Sequence, residues 1–352
     1  MKSTDTTKPR VLMLIPSYAK NDVDTDVAAD RHPTMDYYAL QGKVNADLAD
    51  YAAVDRDNHP LVRLARKLGK DAALAAYGFV RRNQYDVIFS NGENVSIPLA
   101  GLFSLTRKRP AHVLIGHHLS TPKKRLLLRR LHRHMDAIFV YAKTQADYAV
   151  AQLGMAERKL RLIPFHADHR FYRPMSVNAK RMVSSAGLEW RDYPTLIDAV
   201  DGLDVEVRLA AASPWSKHVN ETEKRELPPN VSAKRYSYAE LRDLYAESTL
   251  VVVPLYENDF QAGVTTLLEA MAMGKPVVIT RTVGQRDVVD DGKTGIYVDP
   301  ADRQALRAAI VRLLDDPVEA ERIGAGARRA IEQNMTLELW AERIAQVIRE
   351  LA

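Results

Sequence analysis

Short apolar runs rich in Val and Ile recur along the chain, and most lack the apolar–polar alternation of a half-exposed strand. They are VLMLI (11–15), DVIFS (86–90), HVLIG (112–116), AIFVY (137–141), RLIPF (161–165), RMVSS (181–185), EVRLAAA (206–212), LVVVPL (250–255) and PVVIT (276–280). Such runs read as strands covered on both faces, the condition of a parallel sheet. Helical spacing fills the gaps, at 61–82, 123–134, 144–153, 193–200, 238–247 and 263–273. Parallel strands need crossover connections, and helices supply them in a right-handed sense. The chain is therefore expected to be α/β. From residue 302 it turns nearly all helical, at 303–314, 318–333 and 337–351.

A length of 352 residues points to two domains. The seam is expected near HADHRFYRPMSV (166–177), which follows the run RLIPF and carries Pro174. This gives an N-terminal domain of residues 1–170 and a C-terminal domain of 171–334, with 335–352 as a closing helix. Two sheets of this kind would face a cleft, with ligands at the carboxyl ends of the strands. The chain has no cysteine, which excludes a disulfide scaffold, a zinc-thiolate site and a cysteine nucleophile. A net charge of +5 is small for this length and demands no nucleic-acid partner.

The segment 250–279, LVVVPLYENDFQAGVTTLLEAMAMGKPVVI, carries the most chemistry. A buried strand ends in Pro254, an acidic loop contains Gly263, and a helix follows with Thr265 and Thr266 in its first turn. Gly274 stands where a helix C-cap glycine would. The free N–H groups of a helix N-terminus at a strand's carboxyl end favour an anionic or oxygen-rich ligand. Glu269 lies on a helix of Leu, Ala and Met. A solvent-side glutamate and a ligand-binding one are equally compatible with that composition.

This segment resembles the donor-binding signature of retaining glycosyltransferases of family 4, which have the two-domain GT-B fold. The match is close over Glu269, Ala270, Met271, Ala272, Gly274, Lys275, Pro276 and Val277. The resemblance implies two Rossmann-like domains, with the C-terminal helix around Trp340 crossing back onto the first. It implies transfer of a hexosyl group from a nucleotide-diphosphate sugar to an acceptor hydroxyl, without a metal and with no further cofactor. A UDP-sugar comes first as donor, with GDP- and ADP-sugars as the other candidates. Glu269 would accept hydrogen bonds from the ribose diol, which two carboxylate oxygens suit. The family's other motif glutamate, eight residues earlier, is replaced here by Gln261. Gln261 would contact the donor sugar, with Glu257 in the same loop as second choice. Gly263, Val264 and Thr265 would present amides to the donor.

Further matches extend over most of the chain. Ile163–Asp168 with Phe171 and Pro174 resembles the interdomain segment, and SAGLEWRDYPTLIDA (185–199) the stretch that clamps the donor diphosphate. Arg191 sits at the clamping position; its alternative is a solvated loop arginine. The family's second cation is absent at Ser185 and Ala186, and Lys217 or Arg281 could replace it. His117 and His118 follow HVLIG where the family has a donor-contacting histidine, and His118 fits that spacing slightly better; a structural histidine pair is the alternative. The loop after VLMLI has no glycine, so it suits an acceptor more than a diphosphate, with Tyr18, Arg31 or His32 contributing. The acids Asp22, Asp24 and Asp26 include a DxD string, which arises easily by chance in a chain that is 27% charged; no metal is expected there. Two other readings use the same residues: a sugar-nucleotide epimerase of this fold, and a non-catalytic nucleotide-sugar-binding protein.

Residues 107–134 hold nine Lys or Arg and no Asp or Glu. In KKRLLLRRLHRH, Leu127, Leu128 and Leu131 can share one helix face with cations on its flanks. A solvated basic helix, an anionic membrane surface and an anionic acceptor all fit this pattern. No stretch approaches the roughly 18–20 apolar residues of a spanning helix, and the N-terminus does not read as a signal peptide. The expected location is the cytoplasm, with peripheral attachment through residues 107–134.

Overall fold

The computed structural model describes residues 9–19, 23–211 and 227–352. It divides into two units, each with a six-stranded sheet. In the first, β1 (Val11–Leu14), β2 (Asp47–Ala49), β3 (Val87–Asn91), β4 (Ala111–Gly116), β5 (Ala137–Val140) and β6 (Leu160–Leu162) lie in the order β2-β1-β3-β4-β5-β6. In the second, β7 (Lys180–Ala186), β8 (Glu206–Ala210), β9 (Val231–Ala233), β10 (Ser248–Val253), β11 (Val277–Thr280) and β12 (Ile296–Val298) lie in the order β12-β11-β10-β7-β8-β9. All neighbouring strands are parallel, for example Val252 beside Val278 and Leu250 beside Val183.

The missing alternation has a direct cause. Val251 and Val253 of β10 enter one hydrophobic core, while Leu250 and Val252 enter another on the opposite face. Both faces are covered, so Leu250–Val253 form an unbroken apolar run. In the second sheet β7 and β10 are neighbours, and the chain order runs outward from them in opposite directions. That pair is the topological switch point, where the connecting loops part and leave a crevice.

Several elements differ from expectation. The helix expected over 61–82 is two helices, Pro60–Arg66 and Lys70–Arg81, separated at Gly69 with φ 120°. The helix Glu93–Phe103 was not anticipated, because ENVSIPLAGLF is apolar on every side and shows no period. β2, β9 and β12 have three residues each and are too short to signal themselves. The run RLIPF supplies only the end of β6, an edge strand whose Leu162 is exposed. Of the five histidines in the basic stretch, His112 lies fully buried on β4 against Ser90 Oγ at 2.8 Å, and burial pushes its pKa down to about 4.

The units do not follow the expected boundaries. Their seam falls at Ile163/Pro164 rather than at residue 170. The helix Val23–Ala28 and the residues on to Thr34 group with the second unit, although β1 before them and Met35 after them belong to the first. The last helix, Leu337–Leu351, enters the first unit at Trp340. There Trp340 is buried, and its Nε1–H donates to Tyr141 Oη at 3.2 Å.

Candidate functional site

Loops leave the carboxyl ends of β7, β10 and β11 side by side and lock together. Asp192 N–H donates to Pro254 O at 3.1 Å, and Tyr256 N–H donates to Trp190 O at 3.0 Å. Leu255 N–H donates to Thr280 Oγ1 at 2.9 Å, and Gly284 N–H donates to Asn258 O at 3.0 Å. Glu257 is exposed but committed, since its Oε1 accepts the Val283 N–H at 2.8 Å. Gln261 is half-buried between Glu257 and the helix Val264–Ala272.

Arg191 lies at the centre of this junction and is not the solvated arginine its composition allowed. It is only 7% exposed. Its Nε donates to Ala186 O at 2.8 Å, Nη1 to Glu189 O at 2.9 Å and Nη2 to Thr266 Oγ1 at 3.2 Å. No carboxylate pairs with it among the described residues, and burial lowers its pKa. Two glycines make the cradle. A Cβ on Gly187 would stand 2.5 Å from Arg191 Nη2, and one on Gly263 would stand 2.8 Å from Val253 Cγ1 and 3.1 Å from Arg191 Nη1. Both have positive φ, at 94° and 75°, which a side chain would oppose. Gly263 caps the helix Val264–Ala272; the Val264 N–H donates to Gln261 O at 3.4 Å, and the Thr265 N–H of the same first turn has no backbone acceptor among the described residues. A buried cation and a helix N-terminus therefore act together, which suits an oxyanion.

Glu269 lies about one and a half turns further along that helix and is 8% exposed. Its Oε2 accepts the Tyr245 hydroxyl at 3.0 Å. The Tyr172 hydroxyl makes no well-formed hydrogen bond, yet it lies near enough to favour the ionised carboxyl. Burial outweighs both tyrosines and Arg191, and raises the Glu269 pKa to about 7. The carboxyl is thus held inside the core, not on the solvent side. Tyr238, Arg242 and Tyr245 lie on one face of the helix Tyr238–Glu247, at positions i, i+4 and i+7.

The segment before Thr34 joins this same unit. Asp30, at φ 58°, pairs with Arg173 at 2.7 Å and with Arg242 at 3.0 Å. Thr34 N–H donates to Asp168 Oδ2 at 2.8 Å, and the His32 ring meets the Tyr238 ring edge-on at 4.4 Å. Sequence reasoning missed Tyr172, Tyr245 and Arg242, which carry no motif spacing. Of the residues expected to meet an acceptor, His32 is in this unit and Arg31 is bound to Asp26. Tyr18 is in the first unit, donating to Asp55 at 2.8 Å and accepting from Lys70. Arg281 is paired with Asp291 at 2.6 Å. Lys217 and Asp22 lie outside the described residues.

The two histidines differ at the end of β4 in the first unit. His117 Nε2 is 3.0 Å from Asn91 Oδ1 and its ring is exposed. His118 is half-buried, and its backbone N–H donates to Glu93 Oε1 at 2.6 Å.

Two parallel six-stranded sheets, with a cation and a carboxylate gathered at the switch point of the second, define a GT-B glycosyltransferase. Solved structures agree on the fold. Sucrose-phosphate synthase from Thermosynechococcus elongatus aligns with a TM-score of 0.73 at 18% identity, covering 97% of this chain and 99% of that one. Anabaena HepE in complex with UDP and glucose aligns with a TM-score of 0.72 at 18% identity, with the same coverage. Residues 10–170 match the description "Glycosyltransferase Family 4", and residues 181–316 match "Glycosyl transferases group 1". The GDP-mannose-dependent alpha-(1-6)-phosphatidylinositol monomannoside mannosyltransferase of Mycolicibacterium smegmatis is 38% identical over 293 residues, 71% of this chain and 74% of that protein. The MMP alpha-(1->4)-mannosyltransferase of Mycolicibacterium hassiacum is 26% identical over 303 residues, 77% of this chain and 72% of that protein. The chain belongs to the family 4 glycosyltransferases. It is a transferase enzyme, and neither the epimerase nor the non-catalytic reading is favoured.

Proposed function

We propose that the enzyme transfers a hexosyl group with retention from a nucleoside-diphosphate sugar to an acceptor hydroxyl. The observation that carries this reading is the presence of buried Arg191 and buried Glu269 beside the same switch point, with no ion pair between them. Glu269 accepts the two ribose hydroxyls. Arg191 and the amides of Gly263, Val264 and Thr265 meet the diphosphate and stabilise it as it leaves. Gln261 contacts the donor sugar, since Glu257 is tied to Val283. His118, at the carboxyl end of β4, is the first unit's candidate for a donor-sugar contact. No metal and no side-chain base are assigned. Mannosyl transfer by the relatives and bound UDP in a structural neighbour support a nucleotide-sugar donor, with UDP-sugars first and GDP- and ADP-sugars next. The test is thermal stability with UDP-glucose, GDP-mannose and ADP-glucose, because a ligand of the native state raises the melting temperature. At least one should raise it by several degrees, and turnover with that donor should release nucleoside diphosphate. No shift with any of the three at saturating concentration would reject the donor site.

Peripheral attachment to an anionic membrane belongs to the same proposal. On the helix Pro122–Leu131 only Leu128 is buried, not the whole leucine face that the spacing suggested. Leu126 and Leu127 are 61% and 48% exposed. Lys123, Leu126, Leu127 and Arg130 follow i, i+3, i+4, i+7 spacing and form one outward stripe. Among the described residues Lys123, Arg129 and Arg130 have no ion-pair partner. Each cation near an anionic surface contributes about 1 kcal/mol. Vesicles containing phosphatidylglycerol should sediment the protein in a salt-sensitive way, and Leu126→Ser with Leu127→Ser should weaken this several-fold. Equal behaviour with pure phosphatidylcholine would reject it. Among the described residues no helix is long and apolar enough to cross a membrane.

A further inference from the structure

The amino-terminal edge of the first sheet holds a cavity that the transfer reaction does not use. Its volume is about 410 Å³, and its walls come from residues just before adjacent strands: Arg10 before β1, Arg82 and Asp86 before β3, and Lys108 and Arg109 before β4. Leu351 and Ala352 close another side. Four cations thus converge on one carboxylate. Two of the four are neutralised locally. Arg10 donates its backbone N–H to Asp86 Oδ2 at 2.9 Å and pairs with Oδ1 at 3.5 Å, which keeps Asp86 ionised. Arg109 holds Asp136, with Nη2 to Oδ1 at 3.1 Å.

Arg82 and Lys108 remain uncompensated. Arg82 lies over the Phe79 ring at 4.2 Å and gives Nη1 to Phe79 O at 2.9 Å. Its Nε is buried without a hydrogen-bond partner. Lys108 is exposed and makes no ion pair among the described residues. Two free positive charges match a phosphate monoester, which carries about −1.5 to −2 near neutral pH. A guanidinium with unused N–H groups suits its oxygens. The volume exceeds what a bare phosphate needs and leaves room for the ester substituent.

The geometry points to a phosphate-monoester site at this edge, separate from the donor site in the second unit. It lies at the opposite end of β4 from His118, about 20 Å away for a strand of six residues. The ester can come from a soluble metabolite or from a lipid headgroup, and both have the same chemistry. The test compares the wild type with Lys108→Ala, Arg82→Met with Lys108→Met, and Arg191→Met. Thermal stability is read with inorganic phosphate and with glycerol 3-phosphate, against sodium chloride of matched ionic strength. A melting-temperature rise of a few degrees is expected for the wild type and Arg191→Met. It should shrink in Lys108→Ala, which is too exposed to unfold the protein, and vanish in the double variant. Vesicles are the second arm, with phosphatidic acid, whose headgroup is a phosphate monoester, set against phosphatidylglycerol, a diester: headgroup capture shows as extra binding to phosphatidic acid that the double variant loses, even where the soluble esters give the smaller shift. Protection lost in Arg191→Met but kept in the double variant would place the phosphate in the donor site and overturn the proposal. Absence of any response to the soluble esters, together with equal binding of wild type and double variant to phosphatidic acid vesicles, would overturn it too.

Discussion

Glu269→Gln should lower donor kcat/KM by about 10²–10³-fold and at the same time raise the melting temperature of the ligand-free enzyme. Hydrogen bonds to a charged acceptor contribute about 1.5–3 kcal/mol each, and two ribose hydroxyls share this one. The amide keeps an oxygen for Tyr245 but has no charge and only one acceptor atom. The stability gain has the opposite origin. The folded pKa of Glu269 is raised to about 7 from an ordinary 4.5. Between those pH values the folded state binds more protons than the unfolded one, so stability falls as pH rises. Above pH 7 the full cost of the buried carboxylate is present, on the order of 3 kcal/mol. Below about pH 4.5 the cost is gone. Scanning calorimetry of the ligand-free proteins should therefore show the variant more stable at pH 8 and little different at pH 4.5. A variant that melts lower at pH 8 and turns over normally would contradict both halves.

Arg191→Lys should be nearly as damaging as Arg191→Met, each costing about 10²–10³-fold in kcat, the scale of losing an electrostatic stabiliser of developing charge. The guanidinium has five N–H groups. Three are directed at Ala186 O, Glu189 O and Thr266 Oγ1, which leaves two for the diphosphate. A lysine has one nitrogen, and it cannot hold those three acceptors and also reach a phosphate. The cradle of Gly187 and Gly263 fits a flat group, so the ammonium would also sit loosely. Single-turnover release of nucleoside diphosphate isolates the chemical step. Arg191→Lys with wild-type release would show that charge alone is enough, or that Arg191 serves only to join the loops.

The strands were legible because burial on both faces leaves a continuous apolar run, and the two cores of the second sheet take alternate residues of β10. The 254–263 loop was legible for a related reason. A strand ending in proline, a polar turn with Gly263 and an apolar helix can be arranged in few ways. What could not be read depends on partners far along the chain. Tyr245 lies 24 residues from the carboxyl it serves. Asp30 lies 143 residues from Arg173, and no local pattern signals that the segment after β1 joins the second unit. Arg191 was legible as a residue type at a position. Its burial, and the carbonyls that hold it, come from the packing of two loops. Of Leu127, Leu128 and Leu131, which the spacing put on one face, Leu128 is buried and Leu131 packs against the same core, while Leu127 stays exposed because neighbouring residues point about 100° apart on a helix.

The most direct measurement is a calorimetric titration of UDP and GDP into the wild type and Glu269→Gln at pH 6 and pH 8. With a carboxyl pKa of about 7, ribose recognition by the carboxylate requires the wild type to bind its preferred nucleotide roughly ten times more weakly at pH 6 than at pH 8. Glu269→Gln should bind weakly and equally at both. Tight binding by Glu269→Gln with the wild-type pH dependence would contradict the assignment of Glu269 to the donor.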